Sequence, residues 1–208
     1  GRDVIVGGED FTVKGGSPNA AGLRKSVYTE DLAVKHKFPL VRLHEGGGGS
    51  VAGPSKEKKG YGGDPVFARS RFKSVAQTLK EVPVVSAALG PVAGLPASRF
   101  VGSHFRIMVK DNAQILVAGP AVVSRAFGKD FTKEELGGSD VHKKNGVTDN
   151  IAESEEDAFN QIKKFLSFFP ANIYELPPHK ESKDETDRSE KLLEEIIPKD
   201  RKKTYNTK

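Results

Sequence analysis

Val82-Pro83-Val84-Val85-Ser86-Ala87-Ala88-Leu89-Gly90-Pro91-Val92-Ala93-Gly94-Leu95-Pro96 holds the key to the fold. Residues 82–89 are almost continuously apolar. A short run of this kind predicts a central strand, with both faces covered, as in parallel sheets. It runs into a glycine turn over 90–94. Pro96 then marks the opening of a short helix, because a missing N–H costs nothing in a first helical turn.

Working outward, the same order repeats. Upstream, a helix is predicted over 66–80, with Phe67, Phe72, Val75, Ala76 and Leu79 facing inward. Before it, a buried strand over 38–43 delivers the chain into Gly46-Gly47-Gly48-Gly49-Ser50, and the Gly/Lys/Ser/Pro-rich stretch up to Gly63 predicts a mobile surface loop. A helix over 18–37 precedes that strand, with Ser17 as its cap, Pro18 at its first position, and Leu23, Val27, Leu32 and Val34 inward. Residues 4–6 and 10–13 read as two short strands around Gly7-Gly8. Downstream, strands are predicted over 104–109 and 114–117, then a helix from Pro120 to Phe127. Thr132 and Glu135 have capping-box spacing, and Ser154 and Asp157 cap a helix over 155–169 that buries Ala158, Ile162, Phe165, Leu166 and Phe169. After Pro177-Pro178 the chain is densely charged, with Leu192, Leu193, Ile196 and Ile197 as one apolar patch. The expected division is 1–176 as a domain and 177–208 as a charged linker or tail. The alternation of strand and helix predicts an α/β layered fold whose ligand edge lies where glycine turns leave the strands.

Composition narrows the classes. In 208 residues, 36% are hydrophobic and 29% charged, which suits a globular domain. No apolar run reaches the ~18 residues of a membrane span. Cysteine is absent, so disulfides and thiolate-bound metals are excluded. The net charge of +5 is spread among acids with no basic stripe, which argues against nucleic acid and leaves a mild attraction for an anionic ligand. His36, His44, His104, His142 and His179 lack metal-ligand spacing and suit surface or hydrogen-bonded structural roles, with His142, after Leu136-Gly137-Gly138, the one that stands out. Glu45 beside the glycines reads as a solvated carboxylate rather than a general base. No Gly-Lys-Ser/Thr follows the glycine run at P-loop spacing.

The chemistry therefore falls to backbone. Glycine lets main chain approach a ligand without a side chain in the way. Four glycines alone read as a flexible loop. Paired with a second glycine turn after a buried strand, they could hold one oxygen between two amides, an oxyanion hole suited to a thioester carbonyl becoming an enolate. The candidate donors are the N–H groups near Gly49 and near Gly94 or Leu95.

Five segments together resemble a known family. Gly7-Gly8-Glu9-Asp10-Phe11-Thr12-Val13-Lys14-Gly15-Gly16-Ser17 is similar to an early segment of the β-type carboxyltransferase subunits of biotin-dependent acyl-CoA carboxylases. Leu43-His44-Glu45-Gly46-Gly47-Gly48-Gly49-Ser50 sits where that family has Asp-Ser-Gly-Gly-Ala-Arg. Residues 90–96 resemble its Gly-Pro-Cys-Ala-Gly-Gly-Ala turn, Gly119-Pro120 with Val122-Val123 its Gly-Pro-x-Val-Val segment, and residues 132–142 its Thr-x-Glu-Glu-Leu-Gly-Gly-x-x-x-His run. Residues 198–205 resemble the linker before its second domain.

The resemblance implies a crotonase-like ββα spiral, here the acyl-CoA-binding N-domain, truncated at its N-terminal edge, with the biotin-binding C-domain outside these residues. It implies transfer of a carboxyl group from carboxybiotin to an acyl-CoA through an oxyanion-stabilised enolate. Gly94 and Leu95 would carry the amides, Gly48 and Gly49 would form the facing wall, and Gly46, Gly47 and Ala93 would line the CoA site, with Arg24 and Lys25 as candidates for its phosphates. Biotin would arrive on a partner carrier domain, with a biotin carboxylase subunit and a hexamer of like subunits as partners and an intracellular setting, cytoplasmic or mitochondrial matrix. Leu95-Pro96 in place of Gly-Ala, and Gly49-Ser50 in place of Ala-Arg, depart from the family pattern beside the acyl group. A decarboxylase subunit of the same fold and a noncatalytic acyl-CoA-binding module remain alternatives. A crotonase-type hydratase is disfavoured, because no carboxylate occurs between Glu81 and Asp111.

Overall fold

The computed structural model describes residues 1–17, 20–48 and 70–205. The chain divides into two units, Gly1–Pro178 and His179–Lys208. In the first, strands β1 (Ile5–Gly8), β2 (Leu40–Gly46), β3 (Val84–Ala93), β4 (Phe105–Val109), β5 (Gln114–Leu116) and β6 (Asn150–Ala152) form one sheet. Its order is β1-β2-β3-β4-β6, with β5 also on β3. Every ladder is parallel. Parallel neighbours need crossovers, and the helices supply them: α1 (Ala20–His36), α2 (Arg71–Glu81), α3 (Leu95–Val101), α4 (Pro120–Phe127), α5 (Lys133–Gly137), α6 (Ser139–Asn145) and α7 (Glu155–Leu166).

The apolar run lies at the centre of the sheet as its composition requires. Val84, Val85, Ala87, Ala88 and Val92 are fully buried. All but Val84 pack with Phe100, Ile107, Met108, Ala152 and the inner face of α7, Ala158, Ile162 and Leu166. Each large aliphatic or aromatic side chain buried this way contributes about 1.5–3 kcal/mol. A smaller cluster joins Ala33 of α1 to Leu40, Val82 and Val84.

β3 is longer than its apolar run. It continues through Gly90-Pro91 because its two halves have different neighbours: Val85–Ala88 pairs with β4, and Pro91–Ala93 pairs with β5. The ladder with β2 shifts register between His44 and Gly46, opposite Gly90-Pro91. The glycine turn is thus confined to Gly94 itself.

Residues 10–13 are a turn, not a strand. The Thr12 N–H and hydroxyl both donate to Asp10 Oδ1, at 2.9 and 2.6 Å. Lys14, Gly15 and Gly16 then take positive φ, and Lys14–Gly16 close a 3-10 turn. The short acid next to a glycine pair favours the local turn over the ladder. The predicted start of α2 and Pro18 of α1 lie outside the described residues. Capping follows the expected spacing: Thr132 and Glu135 form a reciprocal box on α5, and Ser154 Oγ accepts the Asp157 N–H of α7. In the second unit, α8 (Leu192–Ile196) carries exposed Leu192 and Leu193.

Candidate functional site

Three glycine-bearing backbones meet at the carboxyl ends of β1, β2 and β3. Gly16 (φ 67°) lies flat against Glu45-Gly46, and a Cβ there would overlap the Glu45 carbonyl. A Cβ on Gly46 would come within 2.6 Å of the Gly16 carbonyl oxygen. The Gly47 N–H donates to Gly15 O at 2.9 Å. On the other side, a Cβ on Gly48 would stand 3.0 Å from Ala93 O and 3.3 Å from Gly94 Cα. The glycine run is therefore a packed seam between two neighbours rather than a loose loop, as far as Gly48. Gly49 and Ser50 lie outside the described residues.

Gly94 has φ 67° and ψ −127°, a conformation that side chains resist. Its N–H donates to Leu116 O of β5 at 3.1 Å. That amide is spent on the fold, which corrects the expectation of two free donors at Gly94 and Leu95. The Gly94 carbonyl accepts the first helical bond of α3 from Ser98. Pro96 has no N–H. Leu95 thus presents an N–H for which no acceptor occurs among the described residues, beside main chain stripped of side chains.

Next to this seam is a cavity of about 460 Å³, walled by β1 and the following turn, α1 and α3. Val6, Val13, Leu23, Leu95 and Pro96 make it largely apolar, and Lys25 is on its wall. Arg24, its neighbour on α1, is exposed.

Arg42, His44, Arg99 and Glu9 give the cavity a charged end. Arg42, 2% exposed, and Arg99 converge on one oxygen of Glu30, 1% exposed, at 2.8 and 2.7 Å. Arg42 Nη1 also donates to the carbonyls of Arg99 (3.1 Å) and Gly102 (3.0 Å), gripping the far end of α3. Burial draws Arg42 down to about 10, against the support of Glu30 and with Arg99 adding to the fall, so it remains charged at neutral pH. His44 Nδ1 meets Glu9 Oε2 at 3.0 Å, and its Nε2 lies 3.4 Å from Ser86 Oγ. Burial alone would raise the Glu9 carboxyl. The His44 ring, Arg99 and the Glu45 N–H outweigh it and hold Glu9 below the usual carboxylate range. Ser86 is fully buried and bonds Ser103 Oγ at 2.7 Å, so this row is a hydrogen-bonded layer and not an accessible nucleophile.

Of the residues singled out from sequence, Gly46, Gly47, Gly48, Ala93, Gly94 and Leu95 come together. The sequence reading missed the Glu30–Arg42–Arg99 cluster. Its signal was present: Glu30 falls on the inward stripe of α1, three residues before Ala33, and Arg42 shares one strand face with Leu40 and His44. Among the described residues, no three His, Asp or Glu side chains converge on a metal position. No described helix is long and apolar enough to cross a membrane.

The sequence pattern of the carboxyl transferase domain matches residues 1–208. The propionyl-CoA carboxylase beta chain of Roseobacter denitrificans is 32% identical over 209 residues, covering 100% of this chain and 40% of that protein. The methylmalonyl-CoA decarboxylase subunit alpha of Veillonella parvula is equally similar, 32% over 209 residues with the same coverage. Among solved structures, the hexameric transcarboxylase 12S core superposes with TM-score 0.65 at 28% identity, over 96% of this chain and 38% of that one. A single-chain long-chain acyl-CoA carboxylase gives TM-score 0.67 at 27% identity, over 80% of this chain and 16% of that one. The chain spans about two-fifths of the curated relatives' length.

Proposed function

Because the chain belongs to the carboxyl transferase domain family, with the crotonase-like α/β fold of its neighbours, we propose that it forms the acyl-CoA side of a carboxyltransferase. The observation that carries this reading is the Leu95 N–H. It has no acceptor among the described residues, and Leu95 lines the cavity beside the seam where Gly48 and Gly94 pack backbone to backbone. A thioester laid there would place its carbonyl oxygen on that amide. As the α-proton leaves, negative charge gathers on this oxygen, and a fixed donor stabilises the enolate more than the ground state. The largely apolar cavity beside the packed seam, with Leu95 and Pro96 on its wall, offers the space for the thioester. Carboxybiotin on a partner carrier would supply the carboxyl group. Residues 46–48 and Ala93 would wall the thioester, with Lys25 near the CoA phosphates.

The same donor serves removal of a carboxyl group, since one enolate lies on both paths. The equal identity to a carboxylase chain and to a decarboxylase subunit accords with this. Assembly with like copies and a biotin-bearing subunit is part of the proposal.

Calorimetry against acetyl-, propionyl- and methylcrotonyl-CoA tests the reading. Saturable binding of at least one is expected. A folded chain that binds none of them overturns it.

A further inference from the structure

We propose that His142 is a positioning residue for the thioester site, acting through β5. The inference rests on the assignment of Leu95 as oxyanion donor. β5 is a three-residue strand whose ladder runs only to β3. Successive carbonyls of a strand point to opposite edges. The Leu116 carbonyl points toward β3 and accepts the Gly94 N–H at 3.1 Å. The Ile115 carbonyl points the other way, and His142 Nε2, on a buried ring, donates to it at 2.8 Å. The other ring nitrogen faces Asn145, whose Nδ2 lies 3.2 Å from Nδ1. Asn145 Oδ1 is engaged by the Val147 N–H at 3.1 Å, which leaves the amide nitrogen to donate and so holds the ring with its proton on Nε2.

Two further contacts secure the same strand. Gln114 Nε2 donates to Glu134 Oε2 at 3.0 Å. Gly137 lies directly on the Ile115 carbonyl, where a Cβ would overlap it. Residues 134–142 therefore act as one clamp. They fix β5, β5 fixes the Gly94 peptide, and the Gly94 turn sets the direction of the next amide, Leu95.

The test compares His142→Leu, which removes the donor, with His142→Gln, whose amide can reach the same carbonyl. Two readouts are taken on the full chain: hydrogen exchange at the Gly94 amide, with the Ala88 amide of central β3 as internal reference, and calorimetric affinity for whichever of the three acyl-CoAs binds. In His142→Leu, Gly94 should exchange about tenfold faster relative to Ala88, and acyl-CoA affinity should fall about tenfold. His142→Gln should restore both to within about threefold. Gly94 exchange unchanged in His142→Leu overturns the proposal. So does faster exchange with affinity unchanged, or equal acceleration at Gly94 and Ala88, which is global loosening. Absence of binding in the unsubstituted chain overturns the function proposed above. Gly94 exchange in that case still decides whether His142 holds the turn.

Discussion

Glycine at 94 is required by two independent constraints. Its φ of 67° with ψ −127° belongs to a region that side chains rarely enter, and Gly48 Cα would lie 3.2 Å from an added Cβ. Gly94→Ala is expected to cost about 1–3 kcal/mol, read as a lower thermal midpoint, and to weaken acyl-CoA binding because the Leu95 peptide must turn. A midpoint and affinity within error of the parent would show that the turn at Gly94 is not needed for stability or binding. Glu9 makes a second prediction, in pH. Its folded carboxyl titrates below the ordinary 4.5, so the folded state binds its proton less readily than the unfolded one. The associated stability is complete above about 4.5 and is lost as pH falls through the lower folded value. Glu9→Gln should cost about 1–3 kcal/mol at neutral pH, where it loses the charged bond to His44. Its thermal midpoint should then fall less than the parent's between pH 6 and 3. Parallel curves would show that Glu9 is not an acid-sensitive contact. At this scale the sequence announced the glycines through their pairing, since a second glycine turn after a buried strand set Gly46–Gly49 apart from a flexible loop. It could not announce that the Gly94 N–H is engaged by Leu116, since that bond spans more than twenty residues and depends on how β5 returns to the sheet.

Among the elements, α3 is held at both ends, by the Gly94–Leu116 bond at its start and by Arg42 on the Arg99 and Gly102 carbonyls at its finish. Arg42 can be buried here because Glu30 bonds both it and Arg99, with Glu9 adding a second, more distant negative charge. Glu30→Gln leaves two buried guanidinium groups with no directly bonded carboxylate, Glu9 acting on them only at longer range, and their Nε atoms already lack acceptors. Breaking a buried ion pair of this kind costs about 3–5 kcal/mol. Denaturant unfolding should show that loss, and the double variant Glu30→Gln with Arg42→Met should recover part of it. No recovery in the double variant would mean that Arg42 matters through α3 alone. The strands and helices were legible because their patterns are local: an unbroken apolar run for β3, 3.6-residue spacing for α7, and N-cap spacing for α5 and α7. Residues 10–13 were not, since alternating apolar residues suggested a strand while Asp10 and the glycines after it favoured a turn. The charged layer under α1 was legible only in part: the helix stripe and the buried strand turn Glu30 and Arg42 inward, but their meeting with Arg99 arises only when α1 and α3 pack on β2.

For the whole molecule, binding and turnover separate. The chain matches about two-fifths of its curated relatives, and under the proposed function the described residues supply the thioester side while the second reactant would be held elsewhere. Carboxyl transfer needs the biotin ring fixed against the α-carbon. Holding two reactants in register is worth effective concentrations of about 10⁵–10⁸ M, far beyond any concentration of free biotin. An oxyanion donor stabilises the enolate once it forms but does not make that encounter unimolecular. The 208-residue chain by itself is therefore expected to bind acyl-CoA without moving a carboxyl group. Incubation with methylmalonyl-CoA and free biotin, followed by loss of the acyl-CoA carboxylate, is the measurement. Turnover above the protein-free rate would show that these residues hold biotin as well as the thioester, and would move the second reactant's site onto this chain.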